Sequence, residues 1–163
     1  MFYKSLVRLA VSGTLLWSCS LFSQTNTLNR DYEPIIVQAD EMGNFLTVPH
    51  HDLFVFRFVS ASNSWEQIPF QIDDVGSDEG YFSETDGLLD SNDELVFMAR
   101  DAGDQAGTGN WIDNADSKQY RRYQLVVSDP ADPNRRAWLY VYRSATLAYT
   151  PVQDYVSLDP LTD

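Results

Sequence analysis

The chain has 163 residues, of which 44% are hydrophobic and 13% aromatic, enough for one domain with a core and too little for two. Its formal net charge of −13 repels nucleic acid and anionic lipid, and this excludes a nucleic-acid role. The same charge attracts divalent cations.

Residues 1–23 have the pattern of a secretory signal peptide. Lys4 and Arg8 precede an apolar run over residues 9–17, which is too short to cross a bilayer permanently. We therefore expect a secreted, extracytoplasmic protein without a transmembrane segment in the mature chain. Removal of this leader would change the formal charge from −13 to −15, because it contains two basic and no acidic residues.

The only cysteine, Cys19, lies at the end of this leader. The sequence Leu16, Trp17, Ser18, Cys19 resembles the lipobox of bacterial lipoproteins, although Trp17 stands where a small residue is usual. The resemblance implies a lipid anchor on Cys19, and ordinary cleavage near Ser20 or Ser23 is the alternative. Neither reading leaves a cysteine pair, so the mature domain has no disulfide.

The rest of the chain indicates strands and no amphipathic helix. Residues 24–31 are polar and predict a flexible tether, and residues 32–163 predict a single β-rich domain. Strands are expected at 34–39, 45–48, 53–60, 65–72, 95–99, 120–128 and 137–143.

The runs 53–60 and 65–72 predict one hairpin, in which Pro69 marks an edge or a bulge, and the last two runs predict another. The fold class is therefore all-β, an antiparallel sandwich or open barrel with long acidic loops. After Ser144 no closing strand or helix is evident, so we expect the N-terminal part of a longer protein.

An acidic window over residues 73–104 holds eleven of the 24 acidic residues and one basic residue, Arg100. Within it, residues 82–93 resemble the calcium loops of EF-hand and dockerin proteins. Asp86, Asp90 and Asp93 have the matching spacing, and Gly87 allows the sharp turn. The resemblance implies calcium ligands at Glu84, Asp86, Leu88 (through its carbonyl), Asp90 and Asp93.

This loop departs from the calcium pattern at its first position, where Phe82 cannot bind a metal. Asp73, Asp74 or Asp78 would have to supply the missing oxygen, and a solvated acidic turn is the alternative. His50, His51 and Asp52 form the only histidine site. They support zinc weakly, because neighbouring residues on a strand point to opposite faces.

The functional prediction is a secreted or surface-attached, calcium-stabilised β-domain that serves as a binding or structural module. Its partner would be a polysaccharide or another surface protein, and Trp111, in a glycine-rich loop, is the candidate ligand contact. The alternative is a carbohydrate-active enzyme or its accessory carbohydrate-binding domain. Whether the chain is an enzyme stays open, and the absence of a recognisable nucleophile–base set favours a binding module.

Residues 68–74 and 93–103 together resemble uncharacterised secreted bacterial proteins. The resemblance implies secretion and no particular activity.

Overall fold

The computed structural model describes residues 7–9, 24–76, 80–81, 86–153 and 155. Their eight strands are β1 (Val7–Leu9), β2 (Pro34–Gln38), β3 (Leu53–Val59), β4 (Ser64–Gln67), β5 (Phe70–Asp73), β6 (Glu94–Met98), β7 (Tyr123–Ser128) and β8 (Arg136–Arg143). All pairings are antiparallel, with the order β1-β7-β8-β3-β4 in a larger sheet and β2-β6-β5 in a smaller one. The predicted all-β class is confirmed, and two separate sheets make it a sandwich and not a barrel.

The main core lies between the two sheets. Leu53 and Val55 of β3 and Leu139 and Val141 of β8 pack there with the buried residues of β2 and β6. Along β2 the side chains alternate between exposed and buried, as expected for a strand with one face on the core. Each large side chain buried in this way contributes about 1.5–3 kcal/mol to stability.

The larger sheet also has an apolar outer face. Phe54, Phe56 and Phe58 of β3 share it with Trp138, Tyr140 and Tyr142 of β8, and all six are buried. The glycine-rich segment 101–119 covers this face and adds Ala106 and Ile112 to the second core. The loop is therefore a third layer of the fold.

Gly103 fixes the start of this layer. It forms an antiparallel bridge with Trp138, and the adjacent Asp104 forms one with Phe58. A Cβ at Gly103 would lie 2.5 Å from the carbonyl oxygen of Phe58, so only glycine allows the backbones to approach this closely.

Two strand predictions fail for different reasons. No strand occupies residues 45–48. The preceding residues Ala39–Phe45 form 3-10 turns that are interrupted by a kink at Met42, and Ala39, Met42 and Phe45 are buried. Thr47, with a φ of 66°, has a left-handed backbone that a strand does not allow.

The predicted strand 65–72 is two strands in different sheets. β4 pairs with β3, whereas β5 pairs with β6, and the chain changes sheet at Ile68 and Pro69. Pro69 has no N–H to donate, which suits the crossing point. The first predicted hairpin is therefore correct only as far as Gln67.

The second predicted hairpin, formed by β7 and β8, is confirmed. Residues 24–31, predicted as a flexible tether, are hydrogen-bonded to the domain. The Thr27 amide donates to the Arg136 carbonyl at 2.9 Å, and the Asn26 amide donates to Asp104 Oδ1 at 2.7 Å. Within the described ranges, no helix is long and apolar enough to cross a membrane.

Within residues 1–23 the structure describes only β1, and of β1 only the backbone. The signal peptide and the anchor on Cys19 therefore stay predictions.

Candidate cation site and adjoining cavity

The described part of the acidic loop, residues 86–93, is held against the segment 47–50 by backbone hydrogen bonds. The His50 amide donates to the Gly87 carbonyl at 2.9 Å, and the amides of Leu89 and Thr47 bond across the same pair of segments. Gly87 has a φ of 73°, which provides the predicted sharp turn. These bonds place His50 beside the acidic loop.

The predicted ligands of this loop have different environments. Glu84, with Phe82 at the first position, is outside the described residues. Asp86 is exposed, and its Oδ1 accepts the Leu88 amide at 2.8 Å in a local turn. Leu88 forms a backbone bridge with Pro49, and Asp90 is exposed.

Asp93 is different, because its side chain is only 1% exposed. Its Oδ2 accepts the Asp90 amide at 2.7 Å, and its Oδ1 accepts the Val75 amide at 3.1 Å. Asp93 thus ties together the acidic loop and the chain that follows β5. Each carboxylate oxygen has two lone pairs and accepts one amide, so each oxygen of Asp93 keeps a lone pair that could bind a metal.

Asp74 and Asp93 are brought together by the pairing of β5 with β6. Asp73 lies opposite Glu94 in this ladder, so the next residues outward, Asp74 and Asp93, meet at the same end. The ligand atoms of His50, Asp74 and Asp93 all lie within 4.8 Å of one another. We call these three residues the cation cluster.

His50 lies between the two carboxylates. Its Nδ1 is 3.7 Å from Asp74 Oδ2, and its Nε2 is 3.5 Å from Asp93 Oδ2. The Nε2 atom is buried and has no hydrogen-bond partner among the described residues. An imidazole nitrogen left without a partner between two carboxylates is available to a metal ion.

The surrounding charges act on Asp74, whose side chain is 14% exposed. Burial raises its pKa, as does the negative charge of Asp93, Asp86 and Asp90, and His50 partly offsets these effects. Asp86 and Asp90 thus act on Asp74 electrostatically, but neither belongs to the cation cluster. Of the residues expected to supply the missing oxygen, Asp74 joins the cluster and Asp73 does not, and Asp78 is outside the described residues.

Sequence reasoning grouped His50 with His51 and Asp52 and missed its position beside Asp74 and Asp93. The Asp52 carboxylate instead lies 3.6 Å from His51 Nε2. The one available signal was the order of residues at the strand ends: Asp74 directly follows β5, and Asp93 directly precedes β6. That signal is useful only once these two strands are known to pair.

An open cavity of about 530 Å³ adjoins the cation cluster, with which it shares His50. Its walls come from the turn before β3, the first residues of β3, β5, and the segment after β8. The described lining residues are His50, His51, Leu53, Phe54, Phe70, Gln71, Ile72, Leu147 and Tyr149. None of these side chains is a carboxylate, a lysine or an arginine.

Trp111, the predicted ligand contact, does not line this cavity. Its ring packs edge-on against Tyr142 with 5.6 Å between centroids, and its indole N–H donates to the Thr108 carbonyl at 3.1 Å. It belongs to the periphery of the second core.

Arg122 organises the neighbourhood of Trp111 and was not singled out by the sequence. Its guanidinium carbon lies 4.9 Å from the ring centroids of both Trp111 and Tyr140. It also donates to the Tyr142 hydroxyl and to the Gly107 carbonyl, both at 3.1 Å. These contacts attach the covering segment to the sheet and give Trp111 a structural role.

Comparisons of this chain with protein-family models, with curated proteins and with solved structures found no match. The site must therefore be interpreted from its own geometry.

Proposed function

We propose that this chain is a secreted or surface-attached β-sandwich module that is stabilised by a divalent cation and serves in binding or in surface structure. The observation that carries the proposal is the cation cluster, in which two largely buried carboxylates lie beside an imidazole with an unpartnered, buried nitrogen. Buried carboxylates are costly unless a positive charge or hydrogen bonds compensate them.

Calcium is the ion that the loop sequence predicts, and the surrounding oxygens support it. Calcium takes six to eight oxygen ligands. Asp74 and Asp93 offer carboxylate oxygens within the cluster, and Asp86 and Asp90 are close enough to act on Asp74 electrostatically. Glu84 and the Leu88 carbonyl remain proposed ligands that would complete the shell together with water.

A second candidate ion follows from His50. An imidazole nitrogen with two carboxylates is a donor set typical of zinc and other first-row transition metals, whereas calcium prefers oxygen alone. The orphaned Nε2 of His50 is the specific observation that favours this alternative.

Thermal unfolding of the leader-free chain tests the proposal. A cation that binds only the folded state adds about 2.7 kcal/mol at a hundredfold excess over its Kd. We expect calcium or zinc, added separately to metal-free protein, to raise the Tm, and a chelator to reverse the effect. Asp74→Asn should abolish most of this rise, whereas Asp113→Asn, a change at a fully exposed carboxylate, should not. An unchanged Tm of the wild type with both ions would refute the cation site.

The proposed localisation depends on the leader and needs its own test. Mass spectrometry of the N-terminus of the exported protein would distinguish acylation at Cys19 from cleavage near Ser20 or Ser23. Retention of residues 1–23 in the exported protein would contradict secretion by a cleaved signal.

The cavity favours binding over hydrolysis. A glycosidase uses two carboxyl groups on either side of its substrate. The described lining of the cavity contains none, and Trp111 lies elsewhere. Polysaccharide binding without release of reducing ends is therefore the expected behaviour.

A further inference from the structure

The cavity beside the cation cluster combines two kinds of wall. Phe54, Phe70 and Leu147 provide apolar surface, and Gln71 and Tyr149 provide groups that form hydrogen bonds. Its volume of about 530 Å³ is within the range of small-molecule sites. Such a lining suits a ligand with an apolar face and several hydroxyl groups.

The charges around the cavity narrow the class of ligand. The described lining contains neither lysine nor arginine, and its two histidines, His50 and His51, each already lie beside a carboxylate. The carboxylates of Asp74 and Asp93, joined to the cavity through His50, would repel an anion further. A cationic group would be drawn to those carboxylates and would compete with the metal. A neutral ligand avoids both conflicts.

Tyr149 is the most accessible aromatic wall. Its side chain is 52% exposed, and its ring packs edge-on against Phe70 with 5.6 Å between centroids. Its hydroxyl accepts the Phe70 amide at 3.4 Å, which holds the ring over β5. A fixed, half-exposed tyrosine is the kind of side chain that contributes strongly to binding sites.

We propose that this cavity binds a neutral sugar unit of a polysaccharide, with Tyr149 and Gln71 as contact residues. The dependence of this binding on the cation rests on the proposed function. His50 lines the cavity and also belongs to the cation cluster, so a bound ion would fix the imidazole that forms part of the wall. The cation then acts on sugar affinity by positioning His50, without itself touching the sugar.

Isothermal titration of the leader-free chain with cellopentaose, mannopentaose and chitopentaose tests the proposal. We expect at least one of these neutral oligosaccharides to bind, and to bind several-fold more weakly after removal of metal. Tetragalacturonate, an anionic oligosaccharide, should bind worse than all three.

Two variants localise the binding. Tyr149→Ala should weaken it about tenfold or more, a loss typical of a central aromatic contact. Tyr81→Ala is the matched control, because Tyr81 is 53% exposed and does not line the cavity. Gln71→Ala, which removes an exposed side chain of β5, should weaken sugar binding and leave the metal-dependent rise in Tm unchanged.

The possible results separate this inference from the proposed function. If no neutral oligosaccharide binds in the presence of calcium or zinc, the sugar site is refuted, whatever the metal does to the Tm. Equal losses in the Tyr149 and Tyr81 variants would also refute it. If the protein binds tetramethylammonium, an organic cation, and none of the neutral oligosaccharides, the sugar site is also refuted and the ligand is cationic. If the wild type binds a sugar and the Tyr149 variant does not, while metal leaves the Tm unchanged, the sugar site is supported and the cation site is refuted.

Discussion

Replacing Asp93 with alanine is expected to destabilise the protein even in the absence of any metal. The carboxylate is buried and accepts two backbone amides, those of Asp90 and Val75. A hydrogen bond to a charged group contributes about 1.5–3 kcal/mol, and the substitution leaves both amides without this acceptor. The expected loss in the free energy of unfolding is therefore about 3–6 kcal/mol.

Urea unfolding in the presence of a chelator measures this loss. With an m-value of about 2 kcal/mol/M, the midpoint should fall by about 1.5–3 M. Asp93→Asn keeps one oxygen acceptor, so it should lose about half as much. Asp113→Ala is the control, because it removes the same charge from a fully exposed side chain and should change stability by less than about 0.5 kcal/mol.

The same measurement separates two roles of Asp93, as a metal ligand and as an acceptor of two backbone amides. If Asp93 served only as a metal ligand, its removal would have no effect in chelator. A midpoint for Asp93→Ala within about 0.5 M of the Asp113→Ala midpoint would refute the structural role argued from the two amides.

Three further changes test other parts of the fold. Gly103→Ala should lower the free energy of unfolding in urea by about 2–3 kcal/mol, because its Cβ would collide with the Phe58 carbonyl. Gly109→Ala, with open space around the new Cβ, should be neutral, and equal midpoints for the two variants would contradict the close approach at Gly103. Arg122→Met should cost about 2–4 kcal/mol and change tryptophan fluorescence, since the Asn110 carbonyl, the Gly107 carbonyl and the Tyr142 hydroxyl lose their donor. An unchanged spectrum and midpoint would exclude this role. Burial raises the pKa of Tyr140 to about 12, so the stability linked to its proton is complete below pH 10 and is lost as the pH rises towards 12. Wild type should lose about 2–3 kcal/mol more than Tyr140→Phe between pH 9.5 and 12, and parallel losses would contradict that pKa.

The alternation of apolar residues along the chain was sufficient to predict most of the strands, although not the region 45–48 or the division of 65–72. Phe54, Phe56 and Phe58 alternate along β3, and Trp138, Tyr140 and Tyr142 alternate along β8. Both groups are buried on the outer face of the larger sheet. Such patterns are local, because side-chain direction repeats every two residues in any strand, whatever its partner.

The partners of those strands, and therefore the candidate site, were decided only by the tertiary structure. Sequence proximity joined β4 and β5 into one strand paired with β3, whereas β5 belongs to the other sheet and pairs with β6. That pairing brings Asp74 to Asp93, and the bonds between segments 47–50 and 86–89 bring His50 to both. Local periodicity determines which side chains face the core, but it carries no information on which strands become neighbours. Residues far apart in sequence meet because two sheets must bury their faces against each other, and this condition applies to the whole chain at once.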